Sequence, residues 1–142
     1  KPENAKKIMN AAITKLGAGG VDAVLAANDG TAGGAIQALM EEGLAGKVIV
    51  TGQDAELSAC QRVVRGTQSM TIYKSISSLA GRAAETAVKM AKGRPVIALE
   101  TVDNGKIQVP AMLIDVVTVT KENMDATVIK EGFHTREAVY GR

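Results

Sequence analysis

Up to Gly93 the chain alternates between short apolar runs and longer segments with helical spacing. No other feature narrows the fold so far. The runs are too short to stand as helices and too uniformly apolar for strands with one wet face, so they read as buried strands. A helix-length connection carries the chain back to the end of the sheet it started from, which makes successive strands parallel. The expected fold is therefore α/β, a parallel sheet with helices on its faces.

The segments follow this rhythm closely. Residues 1–16 carry a stripe of Ala5, Ile8, Met9, Ala12, Ile13 and Leu16, with Pro2 suited to a first turn and Gly17 placed to end the helix. Residues 21–27 ("VDAVLAA") are the first strand, and a helix is expected from about residue 31 to 42 with Ala32, Ala35, Ile36, Leu39 and Met40 inward. "KVIVTG" is a second strand, "AELSACQRVVRG" a helix with Leu57, Cys60, Val63 and Val64 on one face, and "SMTIY" a third strand. "SISSLAGRAAETAVKMAKG" is a long Ala-rich helix closed by Gly93 and Pro95. Beyond Pro95 the rhythm changes. Asn104-Gly105 between two β-prone runs predicts a hairpin, "AMLIDVVTVT" a further strand, and Thr120 a cap for a last short helix over "KENMDATVIKEG".

Composition excludes several classes. The chain has 142 residues, 46% hydrophobic and 23% charged, which is the make-up of about one globular domain. A net charge of +2 with scattered Lys and Arg gives no reason to expect a nucleic-acid partner. No stretch reaches the roughly 20 apolar residues of a spanning helix. One cysteine (Cys60) and one histidine (His134) leave no internal disulfide and little for a metal. Cys60 on an apolar face reads as core, and His134 as structural or solvated. The chain opens inside a helix with no initiator Met, so a piece of a longer protein is expected.

Ligands of open parallel sheets bind beyond the carboxyl ends of the strands. Here those ends carry Asn28-Asp29, Gln53-Asp54 and Tyr73-Lys74. Side by side, Asn28, Asp54 and Lys74 would turn an amide, a carboxylate and an ammonium toward one crevice. That set suits a neutral polyol: the amide both donates and accepts, the carboxylate takes hydroxyl hydrogens in charge-assisted bonds, and the ammonium donates. Each has a plainer reading, Asn28 as a turn residue, Asp54 as a helix cap and Lys74 as a solvated side chain. "GTAGGA" departs from the G-x-G-x-x-G dinucleotide loop, so Gly33 and Gly34 read as points of close helix packing. No nucleophile, base and oxyanion set assembles, and neither a cofactor nor an enzyme activity is expected.

The stretch "VLAANDGTAGGAIQALMEEGLAGKVIVTGQDAEL", with "GTQSMTIYK" and "VIKEGFH", resembles the periplasmic sugar-binding proteins of the ribose/xylose class, over about residues 21–134. The resemblance implies a Rossmann-like three-layer parallel sheet, part of a type I fold of two lobes that close on one monosaccharide. It implies that residues 1–74 belong to the C-terminal lobe, 75–113 to the N-terminal lobe, and 114–142 to the return across the hinge and the C-terminal tail. Most of the N-terminal lobe would then lie outside the chain. In the family motifs the Asn of "A-N-D", the Asp of "G-Q-D" and the Lys of "T-x-Y-K" contact sugar, which here are Asn28, Asp54 and Lys74. The implied partners are a xylose-like sugar and the membrane subunits of an ABC importer, with a membrane sensor or chemoreceptor as a further receiver. The implied location is the periplasm, or the cell surface as a lipoprotein in a Gram-positive bacterium. Aromatic residues make up only 2% of the chain, so the rings that stack on a sugar are expected in the absent part. The rival readings are the effector domain of a lactose-repressor-type regulator, which would carry a DNA-binding head, and a Rossmann-type enzyme, which would need the phosphate loop not found here.

Overall fold

A computed structural model describes residues 1–141, so Arg142, the last residue of the expected 114–142 segment, lies outside the described residues. In chain order the elements are α1 (Pro2–Leu16), β1 (Ala23–Val24), α2 (Asp29–Glu41), β2 (Ile49–Val50), α3 (Leu57–Arg65) and β3 (Thr71–Tyr73). Then come α4 (Ile76–Ala91), β4 (Glu100–Asp103), β5 (Gln108–Ala111), β6 (Val117–Val119), a π-helical turn (Asp125–Ile129) and α5 (Arg136–Tyr140). They form two compact units, Lys1–Tyr73 with the chain from Val117 onward, and Lys74–Val116.

In the first unit β1 and β2 pair in parallel, Ala23 opposite Ile49 and Val24 opposite Val50. A parallel bridge between Gln53 and Ile72 carries the ladder on to β3. Three successive strands thus lie side by side and end at the same edge of the sheet. β6 closes the far side antiparallel to β3, with Tyr73 opposite Val117. One apolar cluster joins α1 and α2 to β2 through Met9, Ile13, Ile36, Leu39, Val48 and Val50. A second joins α3, β3 and β6 to the C-terminal segment through Cys60, Val63, Tyr73, Val119, Met124 and Val139. A Cβ on Gly34 would overlap the Pro2 carbonyl, so this glycine serves the close approach of α1 to α2, whereas a Cβ on Gly33 would meet the Arg62 guanidinium at 3.3 Å.

In the second unit α4 starts at Ser75, whose hydroxyl accepts from Ser78 N–H, and β4 and β5 form the expected hairpin. Asn104 Oδ1 accepts from the N–H groups of Lys106 and Ile107, and Gly105 takes φ 84° to close the loop.

Two expectations need correction. The run 111–120 is not one strand: Ala111 ends the hairpin opposite Glu100, and β6 begins only at Val117, because the run passes from one unit to the other. Thr120 caps no helix. Its N–H donates to Asn123 Oδ1 while Asn123 Nδ2 donates to Thr118 O, and this local side-chain bonding competes with a regular start. The segment winds instead into turns and the π-helical turn. The tail after His134 holds α5, capped by Thr135, whose hydroxyl accepts from Ala138 N–H.

Candidate functional site

Asn28 is the N-cap of α2. Its backbone is extended, and its Oδ1 accepts from Thr31 N–H at 2.9 Å and from the Thr31 hydroxyl at 2.8 Å. Asn28 N–H points back to Thr31 Oγ1 at 3.3 Å, completing a capping box. The helix therefore begins two residues before the point that apolar spacing predicts, since a cap needs no apolar side chain. With Oδ1 committed, Nδ2 is the end of the amide left exposed, and among the described residues it donates to no hydrogen-bond partner.

Asp54 lies one loop away, and the two loops are joined through their neighbours: Asp29 N–H donates to Gln53 O at 2.9 Å. Asp54 is exposed and is not a helix cap, because α3 starts only at Leu57. Its backbone is unusual. Asp54 and Ala55 have φ of 102° and 49°, the only non-glycine residues with positive φ among those described. Such conformations cost about 1–3 kcal/mol each and persist only where surrounding structure holds them.

That structure is a buried polar cluster. Three consecutive N–H groups leave the turn: Asp54 donates to Ile72 O at 2.8 Å, Ala55 to Thr71 Oγ1 at 3.1 Å, and Glu56 to Asp29 Oδ2 at 2.9 Å. The Thr71 hydroxyl donates to the same Asp29 oxygen at 2.9 Å, and Gln68 Nε2 donates to Asp29 Oδ1 at 2.9 Å. Arg62 reaches Asp29 O with one guanidinium nitrogen and Gln68 Oε1 with Nε. Asp29, Gln68 and Thr71 are the buried polar side chains among the described residues, and no buried side-chain N or O lacks a partner. Burial pulls the Arg62 guanidinium down from its usual range, against the pull of Asp29 and Glu56. Burial, with Asp29 adding to it, pushes the Cys60 thiol up to about 11. A Cβ on Gly52 would run into Asp29 Oδ1 and Gln68 Nε2, so the glycine of "GQDA" makes room for the cluster.

The turn is also held from the C-terminal segment. His134 Nε2 lies 2.7 Å from Ala55 O, and the His134 ring packs on Phe133 with centroids 4.6 Å apart. His134 is thus structural, one of the two readings its position allowed. The Tyr73 ring is buried against Phe133 and its hydroxyl donates to Glu131 Oε2 at 2.9 Å, so this ring belongs to the core. Lys74 directly follows β3 and opens the second unit. The fold therefore places Asn28 and Asp54 on neighbouring loops of one unit, with Lys74 at the next strand end along the chain. Sequence reasoning missed Asp29, Gln68 and Thr71. Nothing in their spacing marks them, because their convergence depends on the strand order. Among the described residues no three His, Cys, Asp or Glu side chains are placed to hold a metal ion, and no helix is long and apolar enough to cross a membrane.

This geometry has relatives. Residues 1–95 match the family model described as a periplasmic binding protein domain. The chain is 51% identical over 138 residues to the D-xylose-binding periplasmic protein of Haemophilus influenzae, covering 97% of this chain and 41% of that protein. It superposes on a carbohydrate transporter solute-binding protein from Chloroflexus aurantiacus, solved with D-glucose, with a TM-score of 0.89 and 35% identity, covering 97% of this chain and 41% of the other. A second solute-binding protein, from Clostridium phytofermentans with β-D-glucose, gives a TM-score of 0.82 and 32% identity over 98% of this chain and 44% of the other. The chain thus spans about two fifths of the length of these relatives, with 41% of the Haemophilus influenzae protein matched. On the family match over residues 1–95, and on a parallel α/β sheet consistent with that fold, this chain belongs to the periplasmic binding proteins.

Proposed function

We propose that this chain is part of the substrate-binding component of a bacterial ABC sugar importer, which takes D-xylose or a related monosaccharide between two lobes of the complete protein. The observation that carries the reading is the pair of strand-end loops bearing Asn28 and Asp54, joined by the bond from Asp29 N–H to Gln53 O, with Nδ2 of Asn28 left over from its cap. The 51% identity to a D-xylose-binding periplasmic protein supports the choice of sugar and a periplasmic location. Solute-binding relatives with bound sugars support a binding protein over an enzyme.

In this reading Asp54 accepts sugar hydroxyl hydrogens, Asn28 donates through Nδ2, and Lys74 donates from the start of the second unit. Residues 1–74 belong to one lobe, 75–113 to the other, and 114–142 to the return and tail. Closure is favoured because the closed form alone makes every contact to the sugar, and it presents that form to the membrane subunits. A sugar lacking one hydroxyl leaves a buried partner unpaired and is rejected. Calorimetry with D-xylose on the complete protein tests this. Asp54→Ala should lower affinity by about 100-fold, the scale of a lost charge-assisted contact set, with the protein still folded. Unaltered affinity would remove Asp54 from the site.

A further inference from the structure

The two candidate ligands share one support. Asn28 is the chain neighbour of Asp29, and the Asp29 carboxylate takes the Glu56 N–H that ends the Asp54–Ala55 turn. Thr71 is the second link: its hydroxyl accepts the Ala55 N–H and donates its own hydrogen to Asp29. Gln68 cannot turn its amide over to adapt. Its Oε1 is held by Arg62 Nε, and its Nε2 donates both to Asp29 and to Met70 O, so a flip would set donor on donor and acceptor on acceptor. Every acceptor position of this cluster is therefore determined, and the cluster is fully buried at Asp29 and Thr71.

We infer that Asp29 and Thr71 are positioning residues for sugar recognition, locking the left-handed Asp54–Ala55 turn and setting the spacing between Asp54 and Asn28. This rests on the sugar-binding reading above. Neither residue touches the ligand. Both act through the backbone of the turn, whose φ values of 102° and 49° would relax if its N–H groups lost their partners. A shift of about 1 Å in a recognition group is enough to cost a site much of its strength.

Thr71→Val keeps the shape of the side chain and removes the hydroxyl, whereas Thr71→Ser keeps the hydroxyl. Both variants are to be made in the complete protein, with two readouts: amide hydrogen exchange at residues 54–56 without sugar, and D-xylose affinity by calorimetry on the folded protein. Thr71→Val should speed exchange of the Ala55 and Glu56 amides by about 10-fold or more relative to amides of α2, and weaken xylose binding by about 10-fold or more. Thr71→Ser should restore both to within about twofold of the parent. Unchanged exchange in Thr71→Val overturns the lock, and faster exchange with undiminished affinity overturns the positioning role. If the unsubstituted protein binds no pentose or hexose, the sugar-binding reading fails by itself and the role in recognition falls with it. Faster exchange in Thr71→Val would even then uphold the hold of the cluster on the turn.

Discussion

Helices α2 and α4 look interchangeable in the sequence. They have 13 and 16 residues, both are rich in alanine, and both start at a capping side chain. Their surroundings differ completely. α2 buries Ala32, Ala35, Ile36, Ala38 and Leu39 against α1 and β2, and α4 has no buried residue. The contrast extends to their units. The first holds two apolar clusters, whereas no residue from 74 to 116 is buried, and Leu99 and Ile97 stand 92% and 75% exposed. An apolar stripe records what a helix is built to meet, and burial records what it has met. In the second unit the stability of α4 rests on its cap, on alanine propensity and on pairs such as Lys89 with Glu85, which stabilise exposed helices only weakly.

The sharpest way to break this contrast is to truncate one leucine from each unit. In the 142-residue chain, Leu39→Ala should cost about 2–5 kcal/mol in chemical denaturation, since Leu39 is fully buried. Leu99→Ala should stay within about 0.5 kcal/mol of the parent. Comparable losses would mean that the second unit has a core of its own. Glycine gives a smaller pair of effects with opposite signs. Gly34→Ala drives a methyl into the Pro2 backbone and should destabilise by about 1–3 kcal/mol. Gly81→Ala, inside α4 with nothing within 4 Å of the new methyl, should stabilise by about 0.5–1 kcal/mol, and thermal melts read both. The last effect is in proton linkage. The folded state holds the Cys60 proton more tightly than the unfolded state does, from 9.0 to about 11. Its contribution is therefore complete below the unfolded value and lost as pH rises through that window. Urea melts should show the parent losing more stability than Cys60→Ala across this window. Correspondingly, alkylation of Cys60 near neutral pH should be far slower than that of a thiol introduced by Leu99→Cys.

The order of elements through α4 and the hairpin was legible because each depends on local spacing: Gly17 ends α1, Gly66 ends α3, and Asn104-Gly105 turns the hairpin. The break at 112–116 was not, because an apolar run cannot announce that its two halves serve different sheets. α5 had a readable signal in Thr135 ahead of Glu137, masked by its shortness. In the candidate site, Asn28 and Asp54 were readable as polar residues at strand exits. Their support was not, because Thr71 and Gln68 meet Asp29 only once β3 lies beside β2.

The cap on α2 also fixes the chemical sense of the Asn28 amide. An asparagine on a free loop can rotate to offer either its oxygen or its nitrogen, and so tolerates whatever it meets. Here the Thr31 N–H holds the oxygen in the cap, so the end of the amide left exposed is the nitrogen with its hydrogens. An aspartate in the same place would keep the helix start and turn that exposed end from donor to acceptor.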